Sequence, residues 1–147
     1  MKQLRLLLPL LLLPIVAQSE DLYHIRRLSE RELTRAYTTL MLDACRHAEK
    51  VWQDSSADPR AGYWGTGRSD QMNEGIRAIS GMVLTCGALL KYSDALTESE
   101  RHHYLDQTSR AIRYAVSSHL TGTQKCTDGK PWGGSWQSAM WTGTLAF

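Results

Sequence analysis

Four runs along the chain place apolar residues at three- and four-residue steps, the spacing of helices with one buried face. The first run opens with Ser29 as N-cap and Glu32 as its reciprocal partner, with Leu28 and Leu33 placed as a hydrophobic staple. Behind this capping box Leu33, Tyr37, Leu40, Met41, Ala44, Ala48, Val51 and Trp52 define a face that predicts a helix to about Asp54. A second run, from near Ser69 or Asp70 to about Lys91, is apolar nearly all round, with Met72, Ile76, Ile79, Val83, Cys86 and Leu90 as its stripe and Met82, Leu84 and Leu89 off it. A helix of that kind is buried on several sides. The third run repeats the opening of the first, with Leu96, Thr97 as cap and Glu100, and its face carries Tyr104, Leu105, Thr108, Ile112, Ala115, Val116 and Leu120, with Gly122 as a C-terminal stop. The fourth begins near Ser135 and reaches Phe147 without a basic last turn or a cap.

The connections alternate as well. About five residues join the second and third helices, whereas Ser55–Arg68 and Thr121–Gly134 are long and rich in Gly, Pro and Trp. Long irregular loops are uncommon unless they serve a function, and their alternation with a short return puts both at one rim. Two stretches sixty-eight residues apart also match without a gap. Trp64-Gly65 with Met72, Gly75 and Ala78 falls on Trp132-Gly133 with Met140, Gly143 and Ala146, and Leu28-Ser29-x-x-Glu32 falls on Leu96-Thr97-x-x-Glu100. The expected class is all-α: tandem helical hairpins with a repeat of about 68 residues, hairpin 1 over 28–95 and hairpin 2 over 96–147, the latter cut in mid-element.

Composition changes this picture mainly at the N-terminus. Lys2 and Arg5, an apolar run over Leu6–Val16, and the small residues around Ala17-Gln18-Ser19 read as an export signal over 1–19. The run is too short to span a bilayer, so no stable membrane anchor is expected after cleavage, and the product would be secreted or periplasmic. Cleavage takes Lys2 and Arg5 and lowers Lys+Arg from 17 to 15 against 15 Asp+Glu, a neutral remainder that argues against nucleic acid as a partner. Cys45, Cys86 and Cys126 are odd in number, and Cys45 and Cys86 sit in apolar helical stretches where small buried thiols are the ordinary reading.

Outer helix, long loop, buried inner helix and short return, repeated, resemble the start of an (α/α) toroid of the six-hairpin type. That superfamily includes heparinase II/III-like, alginate and hyaluronate lyases and unsaturated glucuronyl and other glycoside hydrolases. The resemblance covers residues 28–147 and rests on the hairpin repeat, the two Trp-Gly pairs, and the Asn73-Glu74-Gly75-Ile76-Arg77-Ala78 stretch. That stretch is loosely similar to the Trp-rich Glu-Ile-Gly…Arg-Ala segment opening an inner helix of hyaluronate-type lyases. It implies a carbohydrate cleft at the long-loop rim and no cofactor. A complete ring needs five to seven hairpins, so the family's catalytic groups, a Tyr/His pair with Asn and Arg or paired Asp, would fall mostly beyond Phe147 and no catalytic residue is assigned.

Candidate binding residues follow from position. Asp70, Asn73, Glu74 and Arg77 stand at i, i+3, i+4 and i+7 and would share one polar face of the second helix, with Arg68 in the loop before it. A guanidinium matches a uronate carboxylate bidentately; equally, acidic residues belong at helix N-termini for dipole reasons alone. Recurrence of Trp64 and Trp132 favours a structural role for both, whereas Trp136 and Trp141 have no Trp counterpart in the first copy and are the better candidates for stacking on a sugar ring. The histidines are scattered, no set has metal-ligand spacing, and neither a phosphate loop nor a Ser-His-Asp elbow is present. The expected function is that of a secreted carbohydrate-active protein, part of a polysaccharide lyase or glycoside hydrolase acting on a polysaccharide or oligosaccharide. A helical-repeat module that binds without catalysis, and an inactive fragment of an incomplete gene product, are the alternatives.

Overall fold

A computed structural model describes residues 28–65 and 75–146. The segment read as an export signal and residues 66–74, which hold Arg68, Asp70, Asn73 and Glu74, lie outside the described residues. The chain divides into two compact units, 1–34 and 35–147. The described part is mainly helical, with helices α1 (Glu30–Ala48), α2 (Ile76–Tyr92), α3 (Glu98–Ser118) and α4 (Ser138–Leu145), and a two-stranded sheet of β1 (Trp52–Asp54) and β2 (Gly62–Trp64). No described helix is long and apolar enough to cross a membrane.

In the first unit the capping box forms as the sequence predicts. The Ser29 backbone N–H and hydroxyl donate to Glu32 Oε2 at 2.9 Å, and the Glu32 N–H donates to Ser29 Oγ at 3.3 Å. These bonds satisfy donors that the first turn of α1 cannot pair within the helix.

In the second unit the same device opens α3. The Thr97 N–H donates to Glu100 Oε2 at 3.0 Å, and the Glu100 N–H donates to Thr97 Oγ1 at 3.2 Å. Between α2 and α3 the Arg101 guanidinium donates to the carbonyls of Leu90 and Ser93, so a cation from α3 closes the C-terminal end of α2. α2 packs against α3, α4 and β2 with Ile76, Ile79, Val83, Cys86 and Leu89 buried, but it is not covered all round as its apolarity predicts: Leu84 is 48% exposed on the open side.

Three expectations require correction. The first helix ends at Ala48, not near Asp54; a 3₁₀ turn over Glu49–Val51 leads into β1, which pairs antiparallel with β2 in the register Trp52↔Trp64, Gln53↔Tyr63 and Asp54↔Gly62. Val51 and Trp52 continue the helical spacing, but the pairing with β2 wins: the Gly65 N–H reaches the Val51 carbonyl at 2.9 Å, and Arg110 of α3 ties Asp54 (2.7 Å) to the Pro59 and Ala61 carbonyls. The second helix begins at Ile76, because Gly75 sits at φ +90°, outside helical backbone. The fourth begins at Ser138, whose hydroxyl accepts the Ser135 N–H at 3.2 Å.

The buried faces of the outer helices are also rotated from the expected stripes. α1 buries Leu42, Cys45 and Ala48 while Tyr37 and Leu40 stay exposed, and α3 buries Tyr104, Gln107, Thr108, Ala111, Tyr114 and Ala115 while Leu105, Ile112, Val116 and Leu120 stay exposed. Polar bonds to α3 from α1 and from the 3₁₀ turn that follows it accompany this rotation. Arg46 donates to Glu100 at 3.0 Å, and Glu49 Oε2 accepts from Gln107 at 3.0 Å and lies 3.1 Å from His103 Nε2.

Candidate functional site

The two Trp-Gly segments turn back onto the chain just after the preceding helix. Trp64 pairs with Trp52, and its indole meets that of Trp52 edge-on at 5.0 Å. Trp132 donates its backbone N–H to the Ser118 carbonyl at 3.0 Å and accepts from the Leu120 N–H at 2.8 Å, and its indole meets the His119 ring edge-on at 4.9 Å. The strand direction differs: the first pairing is antiparallel, the second a single parallel bridge between His119 and Trp132. Both rings are buried, Trp64 at 1% and Trp132 at 4% exposed, in keeping with a structural role for the repeated pair. Their indole N–H groups fare differently. Trp132 Nε1 donates to the Ala115 carbonyl at 2.7 Å, whereas Trp64 Nε1 is buried without a partner among the described residues.

Of the seven candidate binding residues, Arg77, Trp136 and Trp141 are described, and the structure brings two of them together. Arg77, on the first turn of α2, lies 5.9 Å over the Trp141 ring and donates to Gln137 Oε1 at 3.0 Å. An amide acceptor and an aromatic face thus hold an exposed guanidinium, with no further partner among the described residues. Gln137 was not singled out by residue type or spacing; only the packing of α4 on α2 brings it to Arg77. Trp141 is 3% exposed, packed beneath Arg77 and at 6.4 Å from Trp132. It forms the floor of this corner, since stacking on a sugar needs an open ring face. Trp136 has one: it is 87% exposed in the segment that leads into α4.

Beside this corner an apolar groove of about 330 Å³ runs between α3 and α4, lined chiefly by Ile112, Val116, His119, Trp132, Thr142 and Leu145. His119, which sequence alone places among scattered surface histidines, is held there by its bond to the Thr121 hydroxyl at 3.0 Å. Gly133 makes the approach possible. It adopts φ +116°, and a Cβ on it would stand 2.7 Å from His119 Nε2.

Titratable groups nearby are set by local bonds and burial. The Arg110 guanidinium, and then the Trp52 indole N–H, hold the Asp54 carboxyl below its ordinary range. Burial pushes Tyr104 up to about 12 and raises Tyr114, whose ring stacks on Tyr63 at 4.6 Å. Among the described residues no group of three His, Cys, Asp or Glu side chains is placed to hold a metal ion.

Comparison of the chain with protein-family models, with curated proteins and with solved structures finds no match.

Proposed function

We propose that the chain is the leading part of a secreted carbohydrate-active protein of the (α/α) toroid type, a polysaccharide lyase or glycoside hydrolase, with a sugar-binding rim where the long connections gather. The observation that carries the reading is the corner at the start of α4. There a fully presented indole, Trp136, lies one residue from Gln137, which orients the exposed Arg77 guanidinium. An exposed indole in the same segment as the residue that bonds the guanidinium offers the two kinds of contact, stacking and carboxylate pairing, that a uronate pyranose takes. The repeat of capping box, helix and Trp-Gly turn supports a tandem hairpin layout, and the exposed Ile112, Val116 and Leu120 form the kind of face that a neighbouring hairpin covers in a ring.

Binding without catalysis is the second reading, favoured by the groove between α3 and α4, whose lining residues include neither Asp nor Glu. One experiment addresses both. Tryptophan fluorescence of the full chain is titrated with uronate-containing and neutral oligosaccharides, and ultraviolet absorbance is followed for unsaturated uronate product. Saturable quenching by the acidic sugar that is lost in Trp136→Ala and weakened in Arg77→Ala supports the site. Quenching without product selects the binding module, and no quenching by any sugar overturns the proposal.

A further inference from the structure

We propose that Cys45 and Cys86 are joined by a disulfide that clamps α1 to α2, leaving Cys126 as a thiol. Cys45 lies on the buried face of α1 and Cys86 on that of α2, both fully enclosed, and their Sγ atoms stand 3.2 Å apart. Forty-one positions separate them in sequence, so the approach is a product of the fold and not of chain proximity. A disulfide needs about 2.0 Å between sulfurs and Cβ vectors that converge. The thiols here already point at one another, so a side-chain adjustment on the order of 1 Å closes the bond. Cys126 belongs to a different place. It lies in the connection between α3 and α4, beside Ser118 and Tyr114, and its backbone bonds go to Lys130 and Gly129. The odd cysteine count resolves into one pair and one buried thiol.

The surroundings suit a structural bond, not a reactive thiol. Reactive cysteines sit near cations or at helix N-termini, where the thiolate is favoured. Beside this pair stands the Glu49 carboxylate, together with the Thr108 hydroxyl and the Tyr104 ring. The contact with Cys45, then burial, pushes the Cys86 thiol above its ordinary range. The same contact lowers Cys45, while burial and the Glu49 carboxylate oppose a negative charge on either sulfur, a penalty that a neutral disulfide does not carry. The fold also has a use for the bond. The polar ties of α1 to α3 include an exposed Arg46–Glu100 pair, a weak kind of interaction, and a covalent link to α2 would fix α1 independently of them.

The chemistry balances through thiol–disulfide exchange. One cysteine thiolate attacks a sulfur of an oxidant disulfide, such as glutathione disulfide or the active-site disulfide of an exported dithiol oxidase, and releases one thiol. The second cysteine displaces the other thiol from the mixed disulfide. Two S–H bonds are lost, one S–S bond forms, and two electrons and two protons end on the oxidant. Because both sulfurs are enclosed, the exchange takes place before α1 docks or while it is transiently undocked.

The test uses the full chain, reduced, then equilibrated with glutathione redox buffers in sub-denaturing urea, quenched with acid, and alkylated with N-ethylmaleimide under denaturing conditions. Mass spectrometry is expected to show one adduct per chain in place of three, a proteolytic peptide pair linking Cys45 to Cys86, and no adduct in the oxidised Cys126→Ser variant. Reducing the linked protein should lower its thermal midpoint by roughly 10 °C or more. Three adducts even at the most oxidising setting, or bridges that predominantly involve Cys126, would overturn the proposal.

Discussion

The two Trp-Gly turns offer a comparison in which most terms cancel. Trp64 and Trp132 are both buried, and each meets one aromatic ring edge-on from the segment after the preceding helix, at 5.0 and 4.9 Å. Replacing either by Phe removes similar volume and leaves an aromatic ring in place, with the Trp141 contact of Trp132 at 6.4 Å as the packing difference between them. The hydrogen bonding is not similar. Trp132→Phe deletes a 2.7 Å bond to the Ala115 carbonyl, whereas Trp64→Phe deletes an indole N–H without a partner among the described residues. A buried hydrogen bond whose acceptor is left behind is worth about 1–3 kcal/mol, and removing an unsatisfied donor costs nothing and can stabilise. The Phe variant at 132 is therefore expected to be less stable than that at 64 by about 1–3 kcal/mol. Urea denaturation followed by circular dichroism measures this directly, because at slopes of about 1–3 kcal/mol per M the midpoints should differ by roughly 1 M with unchanged slope. Equal midpoints, or a lower one for Trp64→Phe, would refute the assignment of the Ala115 bond as the asymmetry between the two turns.

Other perturbations separate the remaining interactions. Gly75→Ala places a Cβ 2.7 Å from the Tyr63 ring at φ +90° and should destabilise by about 1–3 kcal/mol, while Gly81→Ala, on an open side of α2, should stabilise by about 0.5–1 kcal/mol; thermal melts giving both changes the same sign would contradict this reading. The Glu100 carboxyl is held at about 2, chiefly by the Thr97 backbone N–H and then by Arg46. A lowered carboxyl stabilises above its unfolded-state value and loses that contribution as pH falls through the folded one. Thermal midpoints should therefore decline from about pH 4 toward 2, and Glu100→Gln should flatten that limb of the titration. In the disulfide-linked chain, a 41-residue separation corresponds to about 4 kcal/mol of denatured-state entropy, so reduction should shift the urea midpoint far more than any surface substitution does.

How much of this was legible along the chain depends on the range of the force that decides each feature. The capping boxes at Ser29/Glu32 and Thr97/Glu100 close within one turn, and both form as predicted. The apolar stripe of α2 is legible in its spacing, since Ile76, Ile79, Val83 and Cys86 are buried, but the expectation of burial on several sides is not met: Leu84 is 48% exposed and Gly81 faces open space. The outer helices differ from their sequence pattern in rotation. α1 and α3 each carry an apolar stripe that stays exposed, Tyr37 and Leu40 on one and Leu105, Ile112 and Val116 on the other, while polar Gln107 and Thr108 are turned inward. Period alone identifies a helix with an apolar face; it does not say which face meets the partner when two are available. The side observed against α3 carries the pairings of Arg46 with Glu100 and of Glu49 with His103 and Gln107, which span more than fifty positions, outside any window along the sequence.

The candidate site follows the same logic. Trp136 breaks the repeat and is exposed; Trp141 breaks it too and is buried. Departure from a repeat marks where the two copies have different work, but that work can be packing. Trp141 packs beneath Arg77 and beside Trp132. The guanidinium above it is then aimed by Gln137, one residue from the exposed indole. At this corner Arg77 and Trp136 are the parts that face solvent, and Gln137 and Trp141 are the parts that contact Arg77. Gln137→Ala should accordingly leave stability within about 0.5 kcal/mol of the parent, as for other substitutions away from the core, while weakening capture of an acidic sugar less than Arg77→Ala does. If isothermal titration finds the Gln137 variant indistinguishable from the parent, the bond to Gln137 does not orient the guanidinium for binding, and the corner reduces to an exposed tryptophan near an arginine.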